Sequence, residues 1–246
     1  MFLDDEDRRD FLAIVGELVK DGEFDVHAFC LMPNHYHLLI STPHAGLSRW
    51  MRHVDGDYVR HFNFRHKRVG ALWQGRYKAI LVQDASYLLE CSRYIHLNPN
   101  RAKITRPAER YRWSSYRNYV GGLSAVPWIE TDLVLRELGG SSEQYRRYVE
   151  AGKGERLISP FERAIAGMVL GTEEFVRHIG RIVKAKEDHG DQPALRALRR
   201  ECTADPHTVE KLVERLFSDS GQARRRRLQL FALRKYSKLR PTEIAR

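Results

Sequence analysis

The chain has 246 residues, of which 42% are hydrophobic and 10% aromatic. This composition excludes a disordered chain and allows one large domain or two small ones, each with an adequate core. The formal net charge of +10 favours an acidic partner, most commonly nucleic acid, but it specifies no fold. The three cysteines form no Cys-x-x-Cys pair, which argues against a disulfide framework or a cysteine zinc site. The acidic amino terminus and the lack of a long apolar run predict a cytoplasmic protein that does not cross a membrane.

Local patterns predict three helices and three strands in the first hundred residues, which makes the fold class α+β. Helices are expected over about residues 5–20, 47–65 and 84–98, where apolar side chains recur at helical spacing or an aspartate can cap the first turn. Strands are expected over about residues 24–32, 35–41 and 72–82, with Pro33-Asn34 as the turn of a hairpin. Pro99 is expected to end the third helix, because proline disfavours helical geometry in the preceding residue.

The second predicted strand carries two histidines on one face. Side chains alternate along a strand, so His35 and His37 share a face while Tyr36 and its apolar neighbours turn towards the core. Two neutral imidazoles at this spacing can hold one divalent cation, with a third ligand supplied from residues 93–99. The pair alone is weak evidence in a chain with 11 histidines, so an ordinary surface or core role stays open.

The third predicted helix places Tyr94 and Asn98 one turn apart on the same face. A phenol and an amide oxygen would then project together towards whatever that face meets. A packing role for the tyrosine and a helix-terminating role for the asparagine remain the alternatives.

Basic and aromatic residues are interleaved at several places, a mixture that suits stacked bases and backbone phosphates. Ordinary solvated faces would give the same pattern, and charge alone does not choose between the two interpretations. The candidate DNA-binding residues are Arg52, Trp73, Arg76, Lys78, Arg93, Arg101 and Trp113.

The glycine-rich character that begins near Gly121 predicts a three-part organisation. Residues 1–120 are expected to form the first domain, residues 121–158 a linker with short helices, and residues 159–246 an all-helical carboxy-terminal region. Within that region, Ser159-Pro160 is a good helix start, and further helices are expected from Thr172, from Asp205-Pro206 and over the basic segment after residue 223.

Four motifs, in order, carry a family resemblance: Met32–Leu39, Gln74–Lys78, Tyr94–Ala102 and Tyr111–Tyr116. Together they resemble the single-tyrosine HUH transposases of the IS200-like type, and most closely the branch called REP-associated tyrosine transposases, over about residues 3–120. The resemblance implies a ferredoxin-like sandwich with an antiparallel sheet. It also implies Mg²⁺ or Mn²⁺ held by His35, His37 and Asn98, and Tyr94 as the nucleophile.

The function implied by this resemblance is a metal-dependent single-stranded DNA transposase and endonuclease. It would nick and rejoin hairpin-flanked DNA through a 5′-phosphotyrosine intermediate. The alternative is a catalytically inactive or domesticated DNA-binding protein that recognises structured repetitive DNA. The implied partners are single-stranded or hairpin DNA and a second copy of the chain in a homodimer, and the implied location is the bacterial nucleoid.

Two departures from the family pattern affect these expectations. Family members begin with a strand upstream of the acidic helix, so the first strand, near the middle of the sheet, is expected to be missing together with its arginine. Residues 230–246 resemble the helix-turn-helix module of bacterial replication initiators but end before any recognition helix. We therefore expect a chain truncated at both ends, which puts its activity in doubt more than its ancestry.

Overall fold

The computed structural model describes residues 1–42, 46–122, 125–154, 158–165 and 167–178, together with the backbone of residues 229–236. The first helix, α1 (Asp5–Lys20), begins with a capping box: the Asp4 side chain accepts from the Asp7 amide while Asp7 bonds back to the Asp4 backbone. The second helix, α2 (Leu47–Arg65), buries the apolar face that its helical spacing predicts. Both helices therefore lie where the sequence predicts them.

Strands β1 (Asp25–Leu31) and β2 (His35–Thr42) form the predicted antiparallel hairpin. The Met32 amide donates to the His35 carbonyl oxygen at 2.8 Å, which closes the turn around Pro33-Asn34. In the resulting register Cys30 stands opposite His37. The hairpin thus fixes which face of the sheet carries each histidine.

The third strand, β3 (Lys78–Val82), is much shorter than the predicted strand over 72–82, which was wrong over its first half. Residues 71–77 form no strand apart from an isolated bridge at Trp73, and the Trp73 side chain packs against the core beside α2. Its ring lies 5.9 Å from those of Tyr36 and Tyr58, and its indole N–H donates to the Asp55 carbonyl oxygen at 3.3 Å. Arg76 consequently lies outside the strand that contains Lys78.

The third helix, α3 (Ala85–Arg101), starts at the predicted cap Asp84 but continues beyond Pro99, so the predicted end was wrong by about one turn. A proline so close to the carboxyl end removes only one backbone donor. The Ala102 and Ile104 amides still bond to the Asn98 and Pro99 carbonyl oxygens, each at 2.9 Å, and these bonds hold the final turn.

The short β4 (Val169–Leu170) runs parallel to β3, whereas β5 (Gln229–Tyr236) is antiparallel to both β2 and β3. Within the described residues, these five strands form one sheet in the order β1-β2-β5-β3-β4. The carboxy-terminal segment therefore occupies the middle of the sheet, where the sequence predicted a missing strand. The predictions of an all-helical region over residues 159–246 and of a helix at residues 230–236 were therefore wrong, because β4 and β5 lie there. Pairing with β5 explains this outcome, because the backbone N–H and C=O groups along one edge of β2 and one edge of β3 would otherwise lack hydrogen-bond partners.

Short helices complete the described part of the chain: α4 (Tyr116–Val120), α5 (Asp132–Arg136), α6 (Ser142–Ala151) and α7 (Pro160–Arg163), with 3₁₀ turns at Ala108–Arg110 and Gly152–Gly154. The predicted caps are present, since the Ser159 side chain accepts from the Phe161 amide and Thr172 accepts from Phe175 at the start of a helical stretch over 173–178. The helix expected from Asp205 and residues 237–246 lie outside the described residues. The boundaries near residues 120 and 158 stay predictions.

The two faces of the sheet are covered by different helices. On one face, Tyr36 meets Phe11 of α1 with ring centroids 4.8 Å apart, and Tyr58 of α2 lies 5.3 Å from Phe11. Buried aromatic pairs of this kind each contribute about 0.5–1.5 kcal/mol beyond their area. On the other face, His37 meets Tyr94 of α3. The core thus holds the hairpin rigidly between two helical layers.

Candidate active site

The site is built first from the β1–β2 hairpin. His35 and His37, two residues apart on β2, have ring centroids 5.0 Å apart at an interplanar angle of 85°. His35 Nδ1 lies 2.7 Å from the Asn34 side-chain oxygen. A hydrogen bond donated there fixes the tautomer in which Nε2 carries the lone pair that a metal requires. The turn residue Asn34 therefore orients a histidine that the sequence singled out.

The second contribution comes from α3, which lies against the same face of the sheet. The Tyr94 ring is 5.7 Å from the His37 ring, at 88° to it, and the two side chains are only 7% and 1% exposed. Asn98, one turn further along, donates its side-chain N–H to the Tyr94 carbonyl oxygen at 2.9 Å. Its amide oxygen is then the atom of that side chain suited to a cation. The structure thus brings together a phenol and two imidazoles, with the amide one turn away.

Two further side chains cover these rings. The Arg101 guanidinium lies 4.7 Å from the centre of the Tyr94 ring, at a distance typical of a cation–π contact. The Phe161 ring of α7 lies 6.3 Å from the His37 ring. Phe161 was not among the residues predicted from the sequence, since nothing local links residue 161 to a strand at residue 37.

The donor set, two imidazole nitrogens and one amide oxygen, suits a divalent cation. Imidazole nitrogen and amide oxygen together suit a borderline-hard metal, whereas the thiols of Cys30 and Cys91 are buried, and burial raises the pKa of both. His35, His37 and Asn98 are the residues that would hold such a cation.

A second group with metal-ligating atoms lies at the start of α1, where Asp4, Asp7 and His66 approach one another. Arg65 already forms ion pairs with both carboxylates, with N–O distances of 2.6 Å to each, and compensates one of their two negative charges. Burial opposes ionisation of Asp4, yet the hydrogen bond and charge of Arg65 outweigh it and lower the pKa of that carboxyl. We interpret this group as a structural ion-pair network that ties α1 to α2.

Three of the predicted DNA-binding residues meet at one pocket. Arg52 of α2 and both Trp73 and Arg76 of the segment before β3 line a cavity of about 520 Å³. Lys78 is exposed at the start of β3. Two guanidinium groups beside an indole ring suit a nucleotide, but Asp55 also lines the pocket and reduces its positive charge.

The remaining predicted residues are scattered. Arg93 stacks on the Tyr148 ring at 4.3 Å. Trp113 is only 8% exposed, with the guanidinium groups of Arg8 and Arg112 at 5.5 and 4.7 Å from its ring, so in this structure it packs rather than presents a free stacking face. Arg101 lines a basic pocket as well as contacting Tyr94.

The central strand adds positions that the sequence did not connect to the site. In the β2–β5 register Arg234 stands opposite His37 and Tyr236 opposite His35, and Arg234 also stands opposite Lys78 of β3. Residues directly opposite one another in an antiparallel ladder belong to the same face of the sheet. The carboxy-terminal segment is therefore paired, through its backbone, with the part of β2 that carries the histidine pair.

Comparison with known proteins gives one match. Residues 1–98, which contain both histidines, Tyr94 and Asn98, match a family model described as Transposase IS200 like. No curated protein and no solved structure matches significantly. None of the helices in the described ranges combines the length and apolarity needed to cross a bilayer.

Proposed function

Because residues 1–98 belong to the IS200-like transposase family, we propose that this chain cuts and rejoins single-stranded DNA, with Tyr94 as the nucleophile. The proposal takes hairpin DNA as the substrate, Mg²⁺ or Mn²⁺ as the cofactor and a ferredoxin-like domain of the REP-associated branch as the scaffold. A homodimer in the nucleoid is the proposed working form.

The observation that carries this proposal is the contact between the Tyr94 and His37 rings at 5.7 Å. A phenol beside a histidine pair suits phosphoryl transfer. The phenol can attack the phosphorus, and a cation held by the histidines would stabilise the negative charge that develops on the phosphate. Packing alone would not require two histidines and a tyrosine at this junction of β2 and α3.

His35, His37 and Asn98 would hold the cation. When bound, the metal supplies Lewis-acid stabilisation of the negative charge on a phosphate oxygen. The chain's own contribution is to keep the His35 tautomer through Asn34 and to hold the Asn98 amide through the Tyr94 carbonyl oxygen. Both of these hydrogen bonds lie within the described residues and need no conformational change.

In the reaction, the Tyr94 hydroxyl oxygen bonds to phosphorus while the bond from phosphorus to the 3′ oxygen breaks. The phenolic proton passes to water. The departing 3′ oxygen takes up a proton and leaves as a hydroxyl group. The phosphotyrosine ester retains the bond energy, so a 3′ hydroxyl can reverse the step without a nucleotide cofactor.

The test is formation of a covalent adduct. The full chain is incubated with Mn²⁺ and hairpin oligonucleotides that carry randomised single-stranded flanks, and products are separated on a denaturing gel. We expect a 3′ label to migrate with the protein and a 5′ label to appear on a shortened oligonucleotide with a 3′ hydroxyl, since the tyrosine keeps the 5′ phosphate.

Two variants sharpen this test. Tyr94→Phe removes only the attacking oxygen and should abolish the adduct, whereas Tyr87→Phe on the same helix should leave it unchanged. Chelation of the metal should also abolish it. An adduct that persists in Tyr94→Phe, that carries the 5′ label, or that never forms with the unaltered chain contradicts the proposal.

The burial of the same rings favours a second candidate, a DNA-binding protein that performs no chemistry. Tyr94 and His37 are 7% and 1% exposed, so in this conformation a phosphate does not reach them. Such a protein would bind structured DNA in a salt-sensitive manner, with no effect of chelation or of Tyr94→Phe. The adduct assay together with a binding assay separates the two candidates.

A further inference from the structure

A pocket of about 500 Å³ opens where α3 ends, on the carboxyl-terminal side of Tyr94. Three separate parts of the chain form it: the last turn of α3, the loop over residues 102–107 and the turn Gly152–Gly154. Four cations line it and no acid is found among its described lining residues. The four are Arg101, Lys103, Arg106 and Lys153.

Most of this charge is available to a ligand. Lys153 forms an exposed ion pair with Glu150 at 2.8 Å, which leaves part of its charge compensated. Lys103 and Arg106 are exposed and form no ion pair within the part of the chain that the structure describes. Clustered cations with a single nearby acid repel one another, so an anion in the pocket would relieve that repulsion.

The backbone around the pocket is shaped to bring these cations together. Lys103 has a φ of +56°, a left-handed conformation that lysine rarely adopts and glycine adopts easily. Its amide donates to the Asn100 carbonyl oxygen at 3.0 Å, which fixes the turn. A Cβ on Gly152 would lie 3.1 Å from Arg93 Cδ and 3.2 Å from Leu97 Cδ1, so the turn that carries Lys153 packs closely against α3.

Arg101 connects the pocket to the candidate nucleophile, because the same guanidinium lies over the Tyr94 ring. From Tyr94 to Arg101 the helix rises roughly 10 Å at 1.5 Å per residue. A strand with the stacked geometry of B-DNA rises roughly 3.4 Å per nucleotide along its axis, so it covers that distance in on the order of three nucleotides. A strand whose phosphate meets Tyr94 therefore passes this pocket within a few nucleotides.

We propose that this pocket binds backbone phosphates of the single strand that continues past the bond attacked by Tyr94. The inference rests on the proposed function and assigns it a strand-holding site. The cations belong to three segments rather than converging on one point, which suits successive phosphates better than one free phosphate ion. Asn100 adds a buried side-chain oxygen with no hydrogen-bond partner in the described residues, an acceptor suited to a base amino group.

The first experiment measures binding without chemistry. Fluorescence anisotropy of a labelled single-stranded oligonucleotide is recorded in EDTA over a salt series for the full chain and for Lys103→Gln/Arg106→Gln. Each lost phosphate contact lowers the slope of log affinity against log salt by about 0.7, so the double variant should lose about 1.4 and bind roughly tenfold more weakly at low salt.

The matched control is Arg9→Gln/Lys20→Gln, which removes the same charge from exposed positions on α1. It should keep the slope of the unaltered chain. Equal slopes for the two double variants, or no binding of the oligonucleotide by the unaltered chain, would overturn the inference. Circular dichroism verifies that both double variants retain their helices.

A second experiment locates the contact. Single methylphosphonate replacements, which remove one phosphate charge at a time, should weaken binding to the unaltered chain at about three consecutive positions and have no such effect in Lys103→Gln/Arg106→Gln. Inorganic phosphate and a mononucleotide are tested as competitors in parallel. If they bind in a manner that depends on Lys103 and Arg106 while the oligonucleotide does not, the pocket serves a small phosphate compound and the inference is wrong.

These outcomes are separable from those of the adduct assay. An adduct without any effect of the pocket variants retains the proposed function and removes the strand-holding site. Salt-dependent binding through the pocket without an adduct removes the chemistry and retains the site.

Discussion

The ring of Tyr94 meets the ring of His37 edge to face, with centroids 5.7 Å apart, although 57 residues separate them in the chain. Each belongs to a regular element, α3 and β2, and each is packed by neighbours in the core. Geometry held by packed elements is more precise than geometry held by loops. The relative position of phenol and imidazole is therefore a property of the fold, and variants on the surface should not alter it.

Phe161 limits access to these rings, and this leads to the first prediction. Its ring lies 6.3 Å from that of His37, and such a contact contributes about 1 kcal/mol. If substrate must displace it, Phe161→Ala should accelerate adduct formation roughly fivefold at subsaturating DNA. Phe175→Ala, a truncation of the same size in a nearby segment, should leave the rate unchanged. A rate in Phe161→Ala that is equal to or below that of the control would show that Phe161 is not a barrier.

The second prediction distinguishes the two groups with metal-ligating atoms. His35→Gln should weaken Mn²⁺ binding by roughly 100-fold or more, because even residues that only support a metal ligand contribute 10- to 100-fold. His66→Gln, in the Asp4–Asp7 network, should leave the affinity unchanged because both carboxylates of that network are already paired with Arg65. Isothermal titration calorimetry of the full chain gives both values. Loss of Mn²⁺ binding only in His66→Gln would show that the metal binds at the start of α1 instead.

Part of this arrangement is predictable from the sequence for clear physical reasons. Asp4 and Asp84 are N-caps, and each helix begins where the cap predicts. The hairpin follows from Pro33-Asn34, and once β2 is a strand, a spacing of two residues must bring His35 and His37 to one face. These are local rules, and they suffice for the elements that carry the histidines, Tyr94 and Asn98.

The remainder depends on contacts between distant parts of the chain. Nothing near Trp73 indicates that the strand begins only at Lys78 or that the Trp73 ring packs against Tyr36 and Tyr58. Nothing near residue 161 indicates that it covers His37. The apolar pattern of residues 229–236 is compatible with a helix or a strand, and the partner strands decide between them. The resemblance of residues 230–246 to a helix-turn-helix module gave a wrong prediction here, because it implied a helix where the structure has the central strand.

The third prediction tests the register of that strand. Leu39 and Ala232 are paired across β2 and β5, and opposite residues in an antiparallel ladder have Cα atoms about 4.5–5.5 Å apart, within the range of a disulfide. Leu39→Cys/Ala232→Cys should therefore form a crosslink on oxidation, identified by peptide mass. Leu39→Cys/Leu233→Cys, one residue out of register, should not, because the second cysteine belongs to the opposite face. Equal yields from the two pairs, or none from the first, would contradict the central position of β5.

The last prediction concerns pH and the network that anchors α3. His96 is fully buried, with Nδ1 2.7 Å from the Tyr145 hydroxyl and Nε2 2.8 Å from the Ser115 hydroxyl. Tyr145 donates its own proton to Ser92, so it accepts from Nδ1, and Ser115 donates to Nε2. Each ring nitrogen of the neutral form is therefore satisfied, and burial lowers the pKa of His96 from 6.5 to about 3.

The unfolded chain takes up a proton at His96 below pH 6.5, whereas the folded chain does not until about pH 3, so acid favours unfolding. The free energy of unfolding should fall by up to about 1.4 kcal/mol for each pH unit below 6.5. Urea titrations between pH 7 and 5.5 measure this slope. That window lies above the ordinary pKa of Asp4, 3.8, and of Glu130, 4.5, so the stabilisation that their lowered pKa values provide is retained. His96→Gln should flatten the slope, whereas His61→Gln at an exposed position should preserve it. A slope that survives in His96→Gln would assign the acid sensitivity to another buried group.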